Sequence, residues 1–454
     1  MRTVCTSALS AAAVLLSGVA YHAADRSDPP RPRTPNIVFI LADDLGYGDL
    51  GCYGQKEIKT PNLDFLASRG MRFTQCYAGS TVCAPSRCCL LTGVHTGHAR
   101  VRGNALVPLR VGENSVARML QLRGYRTAAI GKWGLGEPGT TGVPQRQGFD
   151  YFYGYLNQAA AHFSFPQSLW RGETIESIPE NAGGGHGAYS NDRFTEEALQ
   201  FIQASQGRPF FLYLAYSAPH ANSTARTMEV PEIEPEYADK PWPRVEKVFA
   251  SMITRMDRDV GRILQRLDAL GLGRDTMIFF ASDNGPHREG GHDPTFFFSS
   301  GGLRGIKRDL YEGGIRVPMI VRWRGKICEG AVCDEPWAFW DFLPTVAELV
   351  GAQPPKGLDG VSVVPLFKGQ RLSHRPPLYW EFHERGFSQA ARLGDWKAVK
   401  PGPERPLELY ALNNDPTESR NIAEAHPEVV RWFEKFLREA RTESPDFPVV
   451  GSPR

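Results

Sequence analysis

The sequence predicts an α/β fold: a large, mainly parallel sheet sandwiched by helices, followed by a smaller C-terminal α+β unit. Three observations carry this. Short runs of Ile, Val, Leu and Phe recur without polar alternation, each stops abruptly at polar residues, and helical stretches lie between them. Residues 36–41 form the first run and end at Asp43-Asp44. Residues 127–130 precede Gly131-Lys132, 210–216 precede Pro219-His220, and 277–281 precede Asp283-Asn284. The clearest helix covers about 246–270, where Val248, Met252, Met256, Val260, Ile263 and Leu267 recur at three- and four-residue spacing and Gly271 provides a stop. In such sheets ligands bind beyond the carboxyl ends of the strands, so polar residues far apart in sequence can converge on one edge.

The chain divides by composition. Residues 1–23 read as a signal peptide, with Arg2, an apolar stretch from Ala8 to Ala20, and small residues for cleavage. That stretch is short for a bilayer span, and no other is long enough, so no integral membrane segment is expected after cleavage. Residues 24–34 read as a disordered, Pro- and Arg-rich lead-in. Residues 35–369 form the expected catalytic domain. From 370 to 454 the pattern changes to short strands near 378–382, 391–393 and 396–399 and a helix near 428–441, the smaller subdomain.

The chain has 454 residues, 41% hydrophobic and 22% charged, with a net charge of +2. These are globular values. The balance gives no electrostatic preference for nucleic acid. Of the 8 cysteines, Cys5 falls in the leader, and an odd number remains, so at least one has a role other than pairing. Export would permit disulfides, and Cys328 and Cys333 are close enough in sequence to close a small loop.

One segment carries chemistry. Cys83-Ala84-Pro85-Ser86-Arg87 is followed by Cys88-Cys89-Leu90-Leu91-Thr92-Gly93. Pro85 and Ser86 suit a helix start, which places Cys83 just before a positive helix end and favours a reactive thiol. Asp43, Asp44, Asp283 and Asn284 offer only oxygen atoms, which favours calcium or magnesium over zinc. Adjacent aspartates repel unless a cation lies between them.

The segment resembles the type I sulfatase signature, Cys-x-Pro-Ser-Arg followed by Leu-Thr-Gly. Asn36 to Gly46, Gly131-Lys132-Trp133, Ala218-Pro219-His220, Ser282-Asp283-Asn284-Gly285 and Leu303-Arg304-Gly305-Ile306-Lys307 resemble further family motifs in the expected order. The resemblance spans about residues 35–425 and implies an alkaline phosphatase/sulfatase-like fold and a sulfuric ester hydrolase. It also implies that Cys83 is oxidised to formylglycine by a separate maturation enzyme. The cofactor is then Ca2+, held by Asp43, Asp44, Asp283 and Asn284 with the residue made from Cys83. One hydroxyl of the hydrated aldehyde would attack sulfur and the other would expel sulfate, which serine cannot do because it has no second hydroxyl. Arg87 would steady the diol, Lys132 and Lys307 the sulfate, Asp283 would accept a proton, and His220 or Lys307 would protonate the leaving oxygen.

One position departs. The family often reads Gly-Lys-Trp-His, whereas this chain reads Lys132-Trp133-Gly134. His162, His287 and His292 are the candidates to stand in. The aromatic stretch from Gln147 to Trp170 reads mostly as core, with some rings available to a sugar. His162, Trp170, His292, Asp293 and Arg308 are the candidate substrate contacts. The resemblance extends to exported bacterial sulfatases that act on polysaccharides, so a sulfated carbohydrate, of galactose or N-acetylgalactosamine type, is the expected partner. The expected location is secreted or periplasmic.

Overall fold

The computed structural model describes residues 34–449. The expected leader, and nearly all of the lead-in, lie outside the described residues. From Thr34 onward the chain forms one compact unit.

Among the described residues, fifteen strands build two sheets. In chain order they are β1 (Asn36–Ala42), β2 (Met71–Tyr77), β3 (Arg126–Lys132), β4 (Tyr151–Tyr155), β5 (Ser168–Arg171), β6 (Thr174–Ser177), β7 (Phe210–Ala215), β8 (Thr276–Ser282), β9 (Arg316–Trp323), β10 (Ala331–Cys333), β11 (Trp337–Ala338), β12 (Leu378–Phe382), β13 (Ser388–Leu393), β14 (Trp396–Lys400) and β15 (Glu408–Ala411). The large sheet runs β10-β2-β9-β8-β1-β7-β3-β4-β5-β6, with β11 beside β2. Its centre, β8-β1-β7-β3-β4, is wholly parallel. The antiparallel pairings are β2 with β9, β8 with β9, β4 with β5, and β5 with β6.

The four apolar runs read from the sequence are β1, β3, β7 and β8. Every residue of β1, β7 and β8 is buried, as strands covered on both faces require. Two clusters form the two layers: Phe39, Tyr213 and Phe279 point to one face, while Val38, Leu212 and Ile278 point to the other. The long helix Arg244–Ala269 packs Phe249, Met252, Met256 and Val260 into the second layer. Among the described residues no helix is long and apolar enough to cross a membrane.

The small sheet β12-β13-β14-β15 is antiparallel, and the helix Pro427–Glu439 lays Phe433 and Leu437 against it. Its strands also enter the core of the large sheet, through Leu378, Trp380 and Phe382. The Trp380 indole donates to the Ala78 carbonyl at 2.9 Å. A buried ionic cluster reinforces this seam. Lys397 donates to Glu312 at 2.9 Å and to Glu418 at 3.2 Å, with all three side chains inaccessible to solvent. Removing Lys397 leaves Glu418 buried without its ion-pair partner and Glu312 with the longer pair to Arg316 at 3.4 Å. Lys397→Met is therefore expected to destabilise the fold by ~3–5 kcal/mol, whereas an exposed change such as Lys435→Met should have little effect. Urea unfolding curves read this directly, and equal midpoints for the two variants would exclude it.

The seven described cysteines are all unpaired. The small loop that Cys328 and Cys333 could close is thus not closed by a disulfide.

Candidate active site

Each predicted polar residue follows a strand of the parallel centre. Asp43 and Asp44 leave β1, Lys132 ends β3, His220 follows β7, and Asp283 and Asn284 leave β8. Lys307 comes from the loop between β8 and β9 and is held there by its N–H on the Pro286 carbonyl at 2.8 Å. The remaining contributor is the helix Cys83–Thr92. It begins at Cys83 itself, earlier than Pro85 suggested. The Ser86 hydroxyl accepts the Gly79 N–H at 3.0 Å and fixes the entering loop, and Gly93, at φ 76°, stops the helix. All ten helix residues are buried, so Cys83 is presented on a rigid support.

The charged side chains interlock. Arg87 donates twice to Asp283 Oδ2, at 3.0 and 2.7 Å, and to the Lys132 carbonyl at 2.8 Å. Lys132 Nζ donates to Asp43 Oδ2 at 2.6 Å, and Lys307 Nζ to Asp44 Oδ2 at 2.7 Å. Cys83 Sγ donates to Asp43 Oδ1 at 3.3 Å. Asp44 adopts a left-handed backbone, φ 66°, and its N–H donates to Asp283 Oδ1 at 3.0 Å. A non-glycine residue in that region is strained, and strain of this kind gathers at functional sites.

Burial alone would neutralise these groups, but their neighbours reverse that. Burial pushes the Asp43 carboxyl up, yet Lys132 above all, with Arg87 and Lys307, holds it far below the usual range. Burial acts likewise on Asp44 and is outweighed chiefly by Lys307. Asp283 differs: burial, then Asp43 beside it, raises it to about 7 in spite of Arg87. For Cys83, burial and then Asp43 push the thiol well up. The expectation of a reactive thiol at a helix start is corrected here, because burial and a neighbouring carboxylate outweigh the helix end.

His220 is neutral. Burial and Lys307 pull it down to about 3. Lys307 Nζ donates to its Nε2 at 3.1 Å, so the ring proton sits on Nδ1 and goes to the Ala221 carbonyl at 2.6 Å. His162 stacks on the same ring at 4.4 Å between centroids, and His287 lies on it at 6.1 Å.

These groups open into a cleft of about 620 Å³ whose wall includes Cys83, Lys132, His162, His220, Lys307 and Arg308. A groove of similar size, about 660 Å³, lies elsewhere beside Val111, Arg118 and Arg146, and none of the converging charges reaches it. Of the five candidate substrate contacts, His162 and Arg308 line the cleft. The other three are not part of its wall. His292 is buried, stacked on Phe249 at 3.8 Å and bonded to Glu246 at 2.6 Å, so it fastens its loop to the long helix. Asp293 caps the following turn through Thr295, and Trp170 sits in β5 against the core. Of the loop from Glu289 to Pro294, Glu289 reaches the wall, where it accepts from Arg308 at 2.6 Å and lies 3.4 Å from Lys307. Asn104 and Gln158 are among the wall residues that were not anticipated.

The donor set fits a hard cation. Asp43, Asp44 and Asp283 are fully buried oxygen donors. Asn284 spends its amide N–H on Asp44 Oδ1 at 2.7 Å and on the Gly285 carbonyl, while its own Oδ1 is buried with no hydrogen-bond partner. A buried acceptor without a donor is expensive, and a cation satisfies it.

Comparison with known proteins agrees with the geometry. Residues 35–352 match the Sulfatase family, and residues 305–443 match the family described as N-sulphoglucosamine sulphohydrolase, C-terminal. The chain belongs to the sulfatase family. It is a sulfuric ester hydrolase of the type I sulfatases, within the alkaline phosphatase superfamily. This sulfatase is 34% identical to N-acetylgalactosamine-6-sulfatase of Mus musculus, over 81% of this chain and 72% of the relative. It is 32% identical to arylsulfatase A of Homo sapiens, over 89% and 87%. Among solved structures it is similar to Ps i-CgsB in complex with k-i-k-neocarrahexaose, at a TM-score of 0.77 and 28% identity, over 92% of this chain and 95% of that one.

Proposed function

We propose that this sulfatase hydrolyses the sulfate ester of a carbohydrate, using a formylglycine made from Cys83 and a calcium ion held by Asp43, Asp44, Asp283 and Asn284. The observation that carries the reading is the meeting of Cys83, Lys132 and Lys307 in the wall of one cleft, bonded to buried carboxylates that Arg87 also braces. The converted residue 83, as its hydrate, would supply one hydroxyl to attack sulfur and a second to expel sulfate. Calcium, when bound, would polarise the sulfate oxygens and favour the ionised attacking oxygen.

The chain's own residues do the rest. Lys132 and Lys307 lie at the cleft floor, and burial, which would discharge them, is outweighed by Asp43 and Asp44 respectively. Both stay charged to receive a sulfate group. Arg87 is fixed by three hydrogen bonds, so it holds its neighbours without moving. Asp283, beside residue 83 and held by Arg87, would accept the proton of the attacking hydroxyl. His220 has Nε2 directed at Lys307, so the pair can pass a proton toward a leaving oxygen. His162 and Arg308 stand where a sugar would enter. The names of the relatives, one acting on N-acetylgalactosamine 6-sulfate and one holding a neocarrahexaose, support a carbohydrate substrate.

Maturation by a formylglycine-generating enzyme and export through residues 1–23 belong to the same reading. So does the division into a catalytic domain, 35–369, and a smaller unit from 370. The purified, converted enzyme should release sulfate from sulfated galactose or N-acetylgalactosamine, and from aryl sulfates, far faster than it cleaves matched phosphodiesters. Equal or faster phosphodiester cleavage would replace this reading with a phosphoesterase.

A further inference from the structure

Gly134 lies two residues beyond Lys132 with a left-handed backbone, φ 79°. A Cβ placed there would come within 2.8 Å of Gln158 Cδ. The room beside Lys132 that a side chain at 134 would fill is therefore taken by Gln158, which shares the cleft wall with Cys83 and His162.

The orientation of this amide follows from its partners. The Ala84 N–H donates to Asn104 Oδ1 at 3.0 Å, so that atom is an oxygen. Gln158 approaches the same oxygen at 3.2 Å and must present Nε2 to it. Its Oε1 is left over, buried and without a hydrogen-bond partner. A buried polar atom in that condition carries its full desolvation cost unless a donor arrives. Asn104 thus ties Gln158 to the backbone next to residue 83, and the unspent acceptor is on a side chain that shares the cleft wall with Cys83.

We propose that Gln158 is a further catalytic residue of this enzyme, its Oε1 accepting a hydrogen bond from a hydroxyl of the hydrated aldehyde at position 83. The inference rests on the formylglycine reading. Hydration adds one water across the aldehyde C=O and needs no other reactant. An amide oxygen holds such a hydroxyl in place but does not take its proton at ordinary pH. Gln158 therefore favours the hydrate and orients it, while proton transfer stays with other groups of the cleft.

The test uses whole enzyme with conversion at residue 83 confirmed by peptide mass spectrometry. Wild type, Gln158→Leu and Asn104→Ala are compared by the rate at which a hydrazide labels residue 83 in the native protein, which reads free aldehyde, and by kcat and KM on one sulfate ester. Loss of the acceptor should speed labelling and lower kcat, each by about 10-fold, with thermal midpoint and KM little changed. Gly134→His, which drives into Gln158, should speed labelling in the same direction. Labelling and kcat unmoved in a converted Gln158→Leu enzyme would overturn the proposal alone. A thiol at position 83 in active wild type would remove the formylglycine reading and the proposal together.

Discussion

Replacing Cys83 by alanine is expected to abolish sulfate release, by about 10,000-fold or more, while the protein stays folded. The expectation follows from where Cys83 sits. It occupies the first turn of a wholly buried helix, and its polar contact is a single 3.3 Å hydrogen bond to Asp43. Alanine suits a helix and leaves the interlocked pairs of Arg87, Lys132 and Lys307 in place. Chemistry is a different matter, because no other side chain in the cleft carries an oxygen that can both attack and be released. The native thiol is itself a poor nucleophile here, since burial and Asp43 hold it protonated. Conversion to an aldehyde removes that obstacle. The measurement is initial rate on a chromogenic aryl sulfate, with thermal unfolding as the check on folding and mass spectrometry of the peptide around residue 83. Turnover within 10-fold of wild type in a folded Cys83→Ala protein, or full activity from an unconverted thiol, would refute the assigned nucleophile.

Much of this site was legible in the sequence because the parallel sheet makes it so. β1, β3, β7 and β8 are covered on both faces, and their ends are marked by an abrupt change to Asp, Lys or Asn. Knowing that ligands gather beyond such ends places Asp43, Lys132 and Asp283 together before any coordinates exist. The edges were less legible. β9 runs antiparallel to both of its neighbours, β2 and β8, and β15 was not read at all, since four residues with one polar end resemble a loop. Asn104 and Gln158 lie on loops with no periodicity, and only tertiary packing brings them to the wall that Cys83 shares. The error on His292 has the same origin. His292 was expected at the substrate, but its ring turns to Glu246 and Phe249 on the long helix, a contact that only tertiary packing makes.

Stripping the metal should lower turnover by ~100- to 1,000-fold, the size of effect seen when charge stabilisation is removed from a developing oxyanion. Adding calcium back should restore it. Three fully buried carboxylates meet here, and among the described residues their bonded counter-charges are Lys132, Lys307 and Arg87. The lysine ammonium groups then lie on Asp43 and Asp44, at 2.6 and 2.7 Å, and compete for oxygens that a hard cation would take. A cation that takes part of that carboxylate charge leaves the ammonium groups freer to hold sulfate. Asn284 Oδ1, buried and without a donor, marks one further place for such an ion. Asn284→Ala removes that oxygen without altering a charge, so it should weaken calcium binding while the fold persists. Asp283→Ala should be more severe, because it also strands Arg87. Asp239→Ala, exposed and remote from the cleft, should do neither. Elemental analysis and calcium titration of recovered activity read these effects separately. Full turnover from enzyme shown to be free of metal would rule out the cation, whatever the variants do.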